Sequence, residues 1–152
     1  MKGLIDYIEE SLKRPSALQN RSVKPRTKDE LEKLIKHEFA HKRYDLNFID
    51  TGYIHDMSGL FEGVEHNFDV SDWDVSNVTD MSYMFNGCKN FNCDLSVWDV
   101  HCVTKMQYMF KDCKNLKCDL SAWDTRQVKG DMYMFYMFDG CRKMKIPSWY
   151  SK

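Results

Sequence analysis

The 152-residue sequence is short of the features that usually announce a chemistry. It holds no run of 18 apolar residues, so no transmembrane helix is expected. No CxxC pair occurs, and cysteines that recur at fixed positions form a line, not a tetrahedron, which argues against structural zinc. A glycine-rich phosphate loop and a catalytic triad pattern are both missing. Charge of one sign is scarce too: 22 Lys and Arg face 23 Asp and Glu, for a net −1. So even a balance gives no warrant for nucleic acid or an anionic membrane. The opening MKGLIDYIEESLKR carries acids inside its apolar stretch, so it does not read as a secretory signal. These absences lead us to expect a cytoplasmic protein without a cofactor, with a surface location left open.

What the sequence does contain is self-similarity. Asp69–Cys93, DVSDWDVSNVTDMSYMFNGCKNFNC, returns without a gap as Asp94–Cys118, DLSVWDVHCVTKMQYMFKDCKNLKC. A third copy opens at Asp119 with DLSAWD, then carries extra residues around Gly130-Asp131-Met132 before MFYMFDGC. A degenerate copy, Asp45–Phe68, precedes them with Asp50, Met57, Phe61 and Gly63 in register. A fixed period of this length predicts a repeat solenoid whose units bury their apolar faces against one another. Each copy reads as an extended segment (Val70, Trp73, Val75, Val78), a turn at Ser76-Asn77, and one or two helical turns with Met81, Met84 and Phe85 at i, i+3, i+4. The insertion in the last copy should bulge outward or lengthen its helix.

The repeat positions assign most of the remaining residues. Cys88, Cys113 and Cys141 share one position and Cys93 and Cys118 another. Without a signal sequence they read as buried thiols, although equivalent residues in stacked coils lie close enough for ladder disulfides. The methionine, phenylalanine and tryptophan ladders read as core. The aspartate ladders, Asp50/Asp74/Asp99/Asp124 and Asp45/Asp69/Asp94/Asp119, lack the spacing of a calcium loop and are expected to cap turns.

Ahead of the repeats, residues 1–13 read as a short amphipathic helix on Leu4, Ile8 and Leu12, and residues 14–28 as a mobile basic linker. Thr27-Lys28-Asp29-Glu30 is a capping box opening a second helix whose stripe is Leu31, Leu34, Ile35 and Phe39. The domain plan is therefore an arm at 1–26, a capping helix at 27–44 and four repeats with a C-terminal cap at 45–152. The second helix contains a literal HExxH, His37-Glu38-Phe39-Ala40-His41. Two histidines four apart can grip zinc with the glutamate as general base. No third ligand follows, however, and Lys36, Lys42 and Arg43 crowd the pair with positive charge, so a solvated capping face is favoured and no metal is assigned to His37 and His41.

The pattern DLSxWDVxxVTxMxYMFxxCxxL resembles the roughly 25-residue repeat of BspA-like leucine-rich-repeat proteins, a type found on bacterial surface lipoproteins, with relatives in gut bacteria and their phages. The resemblance covers about residues 27–145. It implies a right-handed, leucine-rich-repeat-like α/β solenoid of short strands and short helices used for protein–protein contact. We therefore expect a non-enzymatic, intracellular or phage-borne protein-binding module, monomeric or weakly dimeric. Its specificity positions would be those where copies differ: Asp72, Val97 and Ala122 beside the tryptophans, and Asn77, His101-Cys102 and Arg126-Gln127 at the turn. Trp149 and Tyr150 in the tail would either close the far end or anchor a partner. The alternatives are a phage-encoded inhibitor of a host defence complex, an HExxH zinc metalloprotease, and nucleic-acid contact through Lys13, Arg14, Arg21, Lys24, Arg26 and Lys28.

Overall fold

A computed structural model describes Leu4, Asp6 and residues 22–151. Over residues 22–151 the regular elements are one helix, α1 (Lys28–Ala40), and one 3-10 turn, η1 (Asp131–Tyr133). Among the described residues, pairing of extended backbone is confined to isolated parallel bridges such as Asp45 with Asp69 and Asp56 with Asp80. The expected α/β repeat solenoid is therefore not what forms: among the described residues no copy holds a helix of its own beyond η1, and there is no sheet.

Two features account for this: the positive φ at Tyr83, Tyr108 and Tyr136, which interrupts any helix there, and the aspartates. Asp69 Oδ1 accepts from the Ser71 amide, Asp74 from Ser76 and Asp80 from Ser82, at 2.9–3.0 Å. Asp45, Asp50, Asp56, Asp94, Asp99, Asp119 and Asp124 do the same two residues ahead of themselves. Such local side-chain bonds compete with ladders and helices, and here they bend the chain two or three times in each copy. Between them the backbone closes i-to-i+3 turns: Trp73 on Val70, Val78 on Val75, Met84 on Met81, Cys88 on Phe85 and Phe91 on Cys88. Both corners of each of these turns are buried. The i, i+3 spacing of apolar residues that predicts a helix is the spacing of these turns as well.

Copies bind one another through backbone bonds between equivalent turns. The amides of Met57, Gly59, Phe61 and Gly63 donate to the carbonyls of Asp80, Ser82, Met84 and Asn86. Met81, Tyr83, Phe85 and Gly87 repeat this onto Lys105, Gln107, Met109 and Lys111. Met106, Tyr108, Phe110 and Asp112 repeat it again onto Tyr133, Phe135, Met137 and Asp139. The last set is in register despite the insertion, which bulges out at Lys129–Met132 around η1. Gly140 is required where it stands: its φ is +77°, and a Cβ there would lie 2.5 Å from Asp112 Oδ1.

The core is columnar. The rings of Phe61, Phe85, Phe110 and Phe138 lie 5.4–5.8 Å apart and within 6° of parallel. Beside them the indoles of Trp73, Trp98, Trp123 and Trp149 each donate to a carbonyl one copy back, those of Leu46, Val70, Leu95 and Leu120. Cys88, Cys113 and Cys141 direct their thiols at the carbonyls of Phe61, Phe85 and Phe110. All six cysteines are free thiols. Burial pushes Cys88, Cys93 and Cys141 up to about 12, Cys118 to about 11, and Cys113 higher than these.

At the N-terminal end α1 buries Leu31, Leu34 and Ile35 and sets Phe39 against Phe61 and Phe68. Thr27 caps the helix through its bond from the Glu30 amide, whereas Glu30 reaches past the expected partner to the Arg26 amide. The linker departs from expectation over its described part. Val23 is buried, bridged to Ile49 and bonded at both backbone atoms to Phe48 and Asp50. Leu4 packs against the core; Ile8, Leu12 and residues 14–21 lie outside the described residues.

Candidate interaction surface

The positions at which copies differ fall into two surface rows. Asp72, Val97 and Ala122 are exposed one after another, Val97 at 78%. The turn positions Asn77, His101, Arg126 and Gln127 are exposed and Cys102 is partly buried, and most of them are bonded locally. Asn77 Nδ2 donates to Gly52 O, and Asn77 O receives from His55. Arg126 makes a two-pronged pair with Asp124, at 2.8 and 2.7 Å. His101 sits between Asp99 and Cys102, and Gln127 is exposed. The tail is committed to closure: Trp149 stacks 6.5 Å from Trp123 at 10°, and Tyr150 meets Phe138 edge-on.

The HExxH segment is arranged for structure. Glu38 is 1% exposed and receives Arg43 Nε at 2.6 Å and Nη2 at 2.8 Å, with His37 Nδ1 at 3.1 Å. Its pKa is lowered: desolvation opposes the charge, and the hydrogen bonds from Arg43 and His37 outweigh it. This carboxylate joins the helix end to the chain beyond it. His41 Nδ1 bonds to the His37 carbonyl. Among the described residues no group of three His, Cys, Asp or Glu could hold a metal ion.

The described basic residues of the linker are also tied to the body. Lys24 pairs with Asp50, Arg26 lies 3.8 Å over the Tyr53 ring, and Lys28 reaches Asp56 and Ser58. Lys13, Arg14 and Arg21 lie outside the described residues.

A third row was not anticipated. Tyr83, Tyr108 and Tyr136 occupy one repeat position with φ of 60°, 60° and 54°. A bulky side chain in the left-handed region costs about 1 kcal/mol, and the degenerate copy places Gly59 there instead, at φ 65°. The three rings run along the surface, 4.8 and 5.5 Å apart. Tyr83 and Tyr136 are 37% and 45% exposed, and the row continues into exposed Phe135 and Met132. At that end lies a cavity of about 340 Å³ lined by Asp131, Met134, Phe135, Tyr136, Asp139, Tyr150 and Ser151. The repetition of Tyr-Met-Phe and the glycine in the divergent copy were the available signals, but side-chain type alone does not give the sign of φ.

The family model described as "Mycoplasma protein of unknown function, DUF285" matches residues 29–149. The match spans far more than half of the chain, so the chain belongs to that family, consistent with the BspA-like character of its repeat. No curated protein and no solved structure matches it.

Proposed function

We propose that this family member is a non-enzymatic protein-binding module whose contact surface is the tyrosine row with the cavity at its C-terminal end. The observation that carries the reading is the repeated strain: three tyrosines occupy a backbone conformation that glycine adopts freely, with Tyr83 and Tyr136 exposed and Tyr108 half-buried between them. Strain maintained where a neutral alternative exists points to use, since local backbone cost tends to gather at functional sites. Tyrosine is also a favoured contact residue, presenting a large rigid face and a polar tip at small entropic cost. Within the described residues the three hydroxyls make no hydrogen bond, so their donors remain for a partner.

The cavity narrows the partner's chemistry. Asp131 and Asp139 make no ion pair or side-chain hydrogen bond among the described residues, and they line the cavity beside Phe135, Tyr136 and Tyr150. Aromatic faces next to carboxylates suit a lysine or arginine side chain. The expected partner is thus a protein segment presenting apolar residues along the row and a basic residue at its end. In this reading Asp72, Val97 and Ala122 are neutral surface.

The test is a capture experiment from cells of the source with three baits: the intact protein, Tyr83→Gly/Tyr108→Gly/Tyr136→Gly, and Asp72→Ser/Val97→Ser/Ala122→Ser. One stoichiometric protein partner should be held by the first and third baits and lost by the second. Retention by the glycine variant, or loss only with the serine variant, would move the surface back to the tryptophan-flanking positions. Catalytic turnover of the captured material would overturn the non-enzymatic assignment.

A further inference from the structure

We infer that Cys102 is a thiol-modification site, activated by His101 and Asp99 and able to exchange with a low-molecular-weight disulfide. Five of the six cysteines occupy the interior ladders, either directed at a phenylalanine carbonyl or paired with an aspartate of the preceding copy. Cys102 is different in place and partner. It occupies the surface turn position held by Asn77 and Gln127 in the neighbouring copies, and it is only partly buried. Its Sγ lies 3.2 Å from His101 Nε2, and His101 Nδ1 lies 2.7 Å from Asp99 Oδ1. Asp99 is held below the usual carboxylate range, first by that hydrogen bond.

An anionic Asp99 favours the tautomer with the proton on Nδ1 and leaves the Nε2 lone pair facing the thiol. The thiol proton then passes to Nε2, giving a thiolate beside an imidazolium, which is the reactive form of cysteine. That thiolate attacks one sulfur of the disulfide. The Cys102 S–S bond forms as the original S–S bond breaks, and the second sulfur leaves as a thiolate that takes the proton from His101. Cys102 is oxidised and the leaving sulfur is reduced, so electrons and protons balance with the disulfide as the only co-reactant. The charged groups facing His101 are Asp99 on its own turn and, from the next copy, Asp124 with its bound Arg126; the preceding copy presents Asp74, Ser76 and Asn77 at the equivalent turn.

The full chain is treated with 5,5′-dithiobis(2-nitrobenzoate) and, separately, with oxidised glutathione, and the modified residue is located by peptide mass mapping. One thiol should react fast in the folded protein, at Cys102, the one cysteine outside the interior ladders. His101→Asn should slow it about tenfold at pH 7, by removing the base 3.2 Å from the thiol. Asp99→Asn should slow it less. Both residues are exposed, so unchanged melting temperatures will show that the variants remain folded. Equal rates in wild type and His101→Asn, or first modification at an interior cysteine, would each overturn the assignment.

Discussion

At the N-terminal end of the stack a dedicated helix lays Leu31, Leu34 and Ile35 over the first copy and fastens itself with the buried Glu38–Arg43 pair. At the C-terminal end no such element is present among the described residues; Trp149 and Tyr150 close the last copy by extending ladders already running through it. A helix brings its own hydrogen bonds and can hide an entire face. Two aromatics hide only what they touch, and Met132, Phe135 and Tyr136 stay exposed beside them. The end with the weaker cover is the end at which apolar surface remains for contact.

The largest expected difference between the two ends is in packing. Leu34 is fully buried, so Leu34→Ala should lower unfolding stability by about 3 kcal/mol. Trp149 is half-buried, and Trp149→Ala should cost about 2 kcal/mol by losing its indole bond and its stacking on Trp123. Chemical denaturation measures both; a larger loss at Trp149 would reverse the ranking of the two covers.

Next comes pH. Glu38 has a folded pKa below its unfolded value, so its stabilisation is full above the ordinary glutamate range and fades as the pH falls through the folded value. Acid should therefore loosen the N-terminal cover before the C-terminal one, read as faster amide exchange in α1 than in the turns around Phe138. Glu38→Gln should remove that pH dependence and cost roughly 1–2 kcal/mol at neutral pH, moderated because Arg43 is partly exposed to solvent. Equal acid sensitivity at both ends would mean the ion pair is not what fastens α1.

The smallest effect is expected between them. Tyr83→Gly relieves about 1 kcal/mol of backbone cost and removes one face of ring stacking with Tyr108, so stability should move by less than about 1 kcal/mol. A loss of several kcal/mol in a thermal melt would make the tyrosine row a structural ladder like the phenylalanines, and would remove the reason for reading it as a contact surface.

Much of this organisation was readable in the residues. The period, the matched Phe61/Phe85/Phe110 and Trp73/Trp98/Trp123 positions, and the turn-capping role of the aspartates all follow from spacing and chemistry. The elements inside each copy were not readable in the same way. Val70 to Trp73, Met81 to Met84 and Phe85 to Cys88 share the i, i+3 interval, which a helix and a single turn both satisfy, and the outcome is decided by the capping aspartates ahead of the turns and the positive φ of Tyr83 and Gly87 within them. For the surface, the varied positions Asp72, Asn77 and Arg126 drew attention because they differ between copies. The tyrosines were overlooked because they do not differ, and their distinction lies in a torsion angle. The basic linker read as mobile because its prolines and charge are visible in a sequence, whereas its pairing with Asp50 and Asp56 required the fold.

The three extra residues before Tyr133 leave the hydrogen bonds from Met106, Tyr108, Phe110 and Asp112 intact. The stretch between Val128 and Tyr133 thus behaves as a splice port: added length leaves the stack sideways and the frame resumes beyond it. The matching stretches at Thr79-Asp80 and Thr104-Lys105 are the places where foreign loops could be grafted one per copy, turning a run of near-identical turns into a comb with individually chosen teeth.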